Sequence, residues 1–163
     1  MQYLKTYLNK IESRGNTNLA ESVLKTAEEV GNSYIKTFSF TSHEIGLLFG
    51  NVQSGKTGQM FGIICKSTDL GFPVFVLLTT DNVVLQQQTL DRVKADLDGY
   101  CICGENDAQI FIDNSLLKPT IVVLKKNARI LKLWANIFNS TGFMKGNPLF
   151  IVDDEADAAS LNT

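Results

Sequence analysis

The sequence predicts an α/β fold, a mainly parallel sheet with helices on both faces, and three observations predict it. Nearly continuous apolar runs at residues 74–78, 120–124 and 149–152 have the composition of strands buried on both faces. Segments with apolar residues at helical spacing alternate with these runs, the pattern of parallel strands joined by helical crossovers. Between them and the N-terminus, Gly50-Asn51-Val52-Gln53-Ser54-Gly55-Lys56-Thr57 matches the phosphate-loop pattern G-x-x-x-x-G-K-[ST] at every specified position.

In chain order, Tyr3, Leu4, Tyr7, Leu8 and Ile11 recur at helical spacing and predict an amphipathic helix ending near Gly15. Asn18 with Glu21 resembles a capping box, so a second helix is expected from there, with Leu19, Val23, Leu24, Ala27 and Val30 inward and Gly31 as its stop. Residues 1–32 read as packing helices or as a small N-terminal arm that docks on another domain, with residues 33–163 as the main domain. The stretch from Tyr34 to Phe40 is β-prone, an expected edge strand or aromatic wall. His43 is the single histidine; beside Thr41, Ser42 and Glu44 it reads as a surface turn residue, which leaves a catalytic triad or multi-histidine metal centre without support.

Residues 45–49 are a short apolar run, expected as a buried strand feeding the phosphate loop. Gly50 and Gly55 can take backbone angles closed to other residues, so the loop is expected to wrap an anion with its N–H groups inward. A helix beginning near Lys56 adds unsatisfied amides and the positive end of its dipole. In that chemistry Gly50, Gln53, Ser54, Gly55, Lys56, Thr57 and Gly58 form the nucleotide-binding set, with Lys56 on the β- and γ-phosphates and Thr57 on Mg²⁺. Roughly 0.5–1% of chains this long match the pattern by chance, given ordinary residue frequencies. The helix is expected to use Met60, Phe61, Ile63, Ile64 and Leu70 and to end at Gly71.

After the 74–78 strand, Asp81 is the expected cap of a helix to about Leu97, with Val84, Leu85, Leu90, Val93 and Leu97 inward and Gln86, Gln87 and Gln88 on a solvated face. Residues 98–119 read as irregular, with β-prone pieces at residues 100–103 and 109–112. After the 120–124 strand a helix runs through Phe138, and its start is basic. Lys125, Arg129 and Lys132 fall at i, i+4 and i+7, a spacing that would share a face and oppose the helix dipole. That cluster suits either a surface meeting phosphates or a solvated basic face.

The run Leu149-Phe150-Ile151-Val152 ends in Asp153-Asp154-Glu155-Ala156-Asp157. Acids at the carboxyl end of a strand, downstream of a phosphate loop, fit the second half of a nucleotide-hydrolysing site. Asp154 is expected to hold Mg²⁺ through its water shell and Glu155 to polarise the attacking water, with Asp153 as the competitor for the metal. The plainer reading is an acidic helix N-terminus, where such residues are favoured anyway.

Size and charge bound the rest. With 163 residues, 44% hydrophobic and 20% charged, the chain can build a core and is not of disordered composition. A net charge of −2 gives no global basic footprint, so any nucleic-acid contact is local. Cys65, Cys101 and Cys103 make neither a disulfide framework nor paired zinc knuckles and read as reduced core thiols, and no signal peptide or spanning segment is visible, so the cytoplasm is the expected compartment.

Gly50–Thr57 together with Asp154-Glu155-Ala156-Asp157 resembles the first RecA-like domain of superfamily two helicases and translocases, the DEAD-like ATPases. The wording is closer still to a bacterial family called the Z-one domain, found in restriction-endonuclease-like proteins and their associated ATPases; the likeness covers roughly residues 45 to 163 and includes Leu124-Lys125-Lys126-Asn127. The resemblance implies a hydrolase using ATP and Mg²⁺ for DNA remodelling or translocation in a restriction or defence system. It also implies that Thr79, Thr80 and Asn82, with Lys125, Lys126, Asn127 and Arg129, lie where such motors touch the nucleic-acid backbone. Such motors need a second RecA-like domain with arginine fingers, and here Thr163 lies only six residues past Asp157. The expectation is therefore an N-terminal fragment of a longer protein, with hydrolysis by this chain alone in doubt. Two other classes compete: a nucleotide-dependent switch or assembly ATPase acting on a protein partner, and, lower, a small-molecule phosphotransferase, for which Arg14, Arg92 and Arg129 are few arginines for a lid.

Overall fold

The sheet grows outward from the apolar run at 74–79. In the computed structural model of the chain, which describes residues 2–39, 41–48, 55–115, 117–141 and 145–154, that run is β1 (Val74–Thr79). It is followed by α4 (Val83–Asp96), β2 (Cys101–Cys103), α5 (Ala108–Asn114), β3 (Thr120–Lys125), α6 (Ala128–Ser140) and β4 (Leu149–Asp153). The three preceding helices are α1 (Tyr3–Ser13), α2 (Thr17–Val30) and α3 (Lys56–Asp69). The four strands lie in the order β2-β3-β1-β4, all parallel. The fold is α/β with helices flanking a parallel sheet, as the alternating pattern predicts.

The chain forms two compact units, Met1–Gly71 and Phe72–Thr163. In the second unit the pleat sends Val74, Val76, Val122, Leu124, Cys101 and Cys103 into one core with Phe111 of α5 and Trp134 of α6. Phe111 meets Trp134 edge to face at 5.7 Å between ring centres, and the indole Nε1 donates to the Glu105 carbonyl at 3.0 Å, so the buried ring leaves no polar atom unpaired. The β1-to-β2 crossover runs along the sheet in the opposite direction to the other two, so right-handed connections place α4 on the other face. There Gln86, Leu90, Val93 and Leu97 form the inward stripe.

The first unit packs α1 and α2 on α3. Gly55, Gly58 and Gly62 fall on the side of α3 that faces α2, and the absent side chains leave room for Leu19 and Val23. A Cβ at position 62 would collide with Val23 Cγ1. Tyr7 of α1 sits edge to face with Phe61 at 6.1 Å, and both are buried. The α1 N-terminus is capped from a distance: the Tyr3 and Leu4 amides donate to the Asp69 carboxylate at 2.8 and 3.0 Å. α3 closes with Gly71 at φ +98°, its amide donating to the Thr68 carbonyl at 3.0 Å.

The structure departs from the sequence expectations at several places. Residues 45–48 are not a strand: they are irregular, and Ile45 and Leu47 stand 89% and 83% exposed. Gly46 weakens the run, and a strand is stable only beside a ladder partner, which this segment lacks among the described residues. Gly31 does not stop α2. The helix continues as a π-helical turn over Gly31–Ile35, which buries Ile35, and the Lys66 stem passes over Gly31 where an alanine methyl would lie 2.8 Å from it. This replaces the expected strand at 34–39; Phe40 lies outside the described residues. Residues 109–112 belong to α5, since neighbouring parallel strands β2 and β3 need a crossover that a further strand would not supply. Asn16 rather than Asn18 precedes α2, and Asn82 rather than Asp81 caps α4.

Candidate functional site

The two halves of the sequence-predicted site fall in different compact units. In the first, Gly50, Gln53 and Ser54 lie outside the described residues. Gly55 is left-handed, φ +72°, and the helix starts at Lys56 as the pattern predicts. The first turn of α3 has no side-chain cap and no acidic residue, so its amides face no competing carboxylate from the helix itself. A helix N-terminus of this kind favours a phosphate through the positive end of its dipole. Lys56, Thr57 and Gly58 are part-exposed at this end. Leu19 lies against both Gly55 and Gly58, so α2 backs the helix start that carries them.

In the second unit the carboxyl ends of β3, β1 and β4 meet side by side. The Lys126 amide donates to the Thr79 carbonyl at 2.9 Å, and the Asp154 amide donates to the Leu78 carbonyl at 3.0 Å. The Lys126 ammonium donates to Asp153 Oδ1 at 2.9 Å and to the Asp154 carbonyl at 3.0 Å, with its side chain only 12% exposed. Glu155 lies outside the described residues.

The residues singled out for nucleic-acid contact have mixed placements. Thr79 is buried, its hydroxyl donating to the Leu124 carbonyl at 3.4 Å. The Thr80 hydroxyl is enclosed and has no hydrogen-bond partner. Asn82 and Asn127 cap α4 and α6 through their side-chain oxygens, and the Asn127 amide reaches Asp81 Oδ2 at 3.1 Å. Lys125 is the last residue of β3 and pairs with Glu105 at 3.5 Å, so it does not share a helical face with Arg129 and Lys132. Arg129 is exposed in the first turn of α6.

Sequence reasoning missed two participants. Gln86, assigned to a solvated face, is 8% exposed, and its amide donates to Glu105 and to the Val123 carbonyl, both at 3.4 Å. Its position four residues before Leu90 and seven before Val93 was the available signal. Glu105 itself had no signal: it lies in a loop and joins Lys125, Gln86 and Trp134 only through tertiary contacts. The cysteines are thiols and buried; burial, then the neighbouring Cys101, pushes Cys103 up to about 12. Among the described residues no group of three metal-ligating side chains forms and no helix is long and apolar enough to cross a membrane. Compared with protein-family models, curated proteins and solved structures, the chain matches none.

Proposed function

We propose that this chain is the ATP-binding module of a helicase- or translocase-type motor acting on DNA, of the kind found in restriction or defence systems. The observation that carries the reading is the complete pattern at 50–57 running into a helix that starts at Lys56 behind a left-handed Gly55. In this reading the loop and the α3 amides hold the phosphates, Lys56 neutralises the terminal ones and Thr57 and Asp154 serve Mg²⁺. Mg²⁺ held there would supply polarisation of the phosphate oxygens. Glu155 orients the attacking water. That one nucleotide engages both halves rests on the order of the two motifs in the sequence, and a second RecA-like domain would supply the arginine finger.

A fluorescent ATP analogue titrated with Mg²⁺ into the wild type and Lys56→Ala tests the site: saturable binding lost in the variant is expected. DNA-stimulated hydrolysis by the full protein, abolished in Glu155→Gln, tests the motor. No stimulation by any nucleic acid would sink it and leave the second reading, a nucleotide-dependent switch binding a protein partner. That reading is favoured by one observation: Lys125 and Lys126 are already paired with carboxylates of this chain, which shrinks the local basic surface.

A further inference from the structure

We infer that Leu19 is a positioning residue for the phosphate end of α3, holding Gly55 and Lys56 in place so that nucleotide binding is coupled to the docking of α2. This role rests on the nucleotide-binding reading above and deepens it, and all of its residues belong to the first unit. Gly55 takes φ +72°, a conformation that glycine enters and leaves at little cost, so the residue alone does not hold itself there. The packing supplies the hold. A Cβ built on Gly55 would lie 2.9 Å from Leu19 Cδ1, so the leucine methyl occupies the side of the glycine that a side chain would otherwise fill. The same methyl lies 3.6 Å from the Cβ position of Gly58, where the Tyr7 hydroxyl and Val23 Cγ2 stand at 3.7 Å.

A second contact fixes α2 at the same place. Gln59 is 8% exposed, and its Nε2 donates to Ser22 Oγ at 2.9 Å, which ties the first turn of α3 to α2. Its Oε1 is enclosed and has no hydrogen-bond partner among the described residues. An enclosed acceptor without a donor is costly, so this seam is not packed for stability alone. Two physical consequences follow. A loop glycine that must be frozen when an anion arrives takes that ordering out of the binding free energy, and a methyl already seated against it removes part of the cost. Coupling is also reciprocal: an occupied phosphate site holds Gly55 and Lys56, and these in turn hold Leu19 and the start of α2. Leu19 touches no ligand atom in this reading and acts through the two glycines.

The test titrates the fluorescent ATP analogue with Mg²⁺ into the full chain for wild type, Leu19→Ala, Leu19→Met and Ala27→Gly, beside thermal melting and amide hydrogen exchange. Couplings between sites are typically about 5–150-fold, so Leu19→Ala should raise the dissociation constant about fivefold or more. Leu19→Met keeps the volume and should recover most of the affinity. Ala27 packs against Gly62, further along α3, so Ala27→Gly should lower Tm without moving the dissociation constant. Analogue binding should slow exchange at residues 17–23 in the wild type, and saturating analogue should fail to do so in Leu19→Ala. An unchanged dissociation constant in Leu19→Ala, with Lys56→Ala still abolishing binding, overturns the positioning role and leaves the functional reading intact. So does an equal rise in Ala27→Gly with no rescue by methionine, which marks a purely structural contact. Unchanged exchange at 17–23 when the analogue binds the wild type overturns the coupling in the same way. No saturable binding by the wild type overturns both.

Discussion

Replacing Gly62 by alanine probes the contact that makes the first unit one body. The new Cβ would overlap Val23 Cγ1 and lie 3.6 Å from the Val23 carbonyl and 3.7 Å from Ala27 Cβ. Val23 and Ala27 are both fully buried, and a β-branched valine in a helix has essentially one rotamer, so the side chain cannot swing aside. α2 must shift away from α3 or the pair must bend. Overpacking of this kind costs about 2–3 kcal/mol, and alanine returns about 1 kcal/mol of helix propensity relative to glycine. The net expectation is a loss of about 1–2 kcal/mol. For a chain of this size that lowers Tm by roughly 3–6 °C. Urea unfolding followed by circular dichroism measures it, and Val23→Ala supplies the control. Alone, that deletion costs about 2 kcal/mol through lost burial and cavity. Combined with Gly62→Ala, it removes the colliding methyl, so the double variant should be more stable than the sum of the singles by about 1–2 kcal/mol. Gly62→Ala as stable as wild type, or strict additivity of the two, would refute the close-packing argument.

Three further outcomes are expected. Asp69→Ala removes the acceptor for the Tyr3 and Leu4 amides and should cost about 1–2 kcal/mol, with hydrogen exchange accelerating at the start of α1 before other helices. Trp134 is the single tryptophan and is fully buried; its native emission should be blue-shifted and resistant to iodide quenching, and Trp134→Phe should cost about 1–3 kcal/mol by leaving the Glu105 carbonyl without its indole donor. The thiols should resist alkylation in the native protein. Because Cys103 is raised from 9.0 to about 12, the native state keeps a proton the unfolded chain releases, so its contribution is full below about 9 and falls as pH rises toward 12. Cys103→Ala should flatten that alkaline loss in a melting series from pH 8 to 11.

The strands at 74–79, 120–125 and 149–153 were legible because burial on both faces of a parallel sheet needs an uninterrupted apolar run, and few other structures do. Even so, β4 is an edge strand whose Ile151 is 54% exposed, which its composition did not show. The start of α3 was legible because a glycine-lysine-threonine junction carries its own backbone constraint at Gly55. Where local pattern and tertiary partner disagreed, the partner decided. Val84 and Leu85 read as core by hydropathy but stand 63% and 41% exposed, because the inward stripe of α4 begins at Gln86 and pairs it with the β3 backbone. Gly31 read as a stop, yet it keeps a right-handed helical conformation, the chain continues to bury Ile35, and the Lys66 stem packs over the glycine.

The basic cluster at 125–132 shows why charge in a sequence is a poor guide to charge at a surface. Counted along the chain, Lys125, Lys126, Arg129 and Lys132 are a patch that invites a polyanion. In the fold, Lys125 leaves the helix for the end of β3 and meets Glu105, while Lys126 meets Asp153; the sequence separations, 20 and 27 residues, hide both partners. What remains exposed is Arg129 and Lys132, at the first turns of α6. A polyanion binding there would lose little salt dependence if Lys125 or Lys126 were removed, because charges already neutralised release few counterions. Arg129→Ala and Lys132→Ala should each reduce the salt slope of DNA binding by about 1 in the full protein, while Lys125→Ala should leave the slope nearly unchanged. Equal slopes for all three variants would mean that the carboxylate pairs open when DNA binds, and that the basic cluster acts as the single patch the linear sequence suggests.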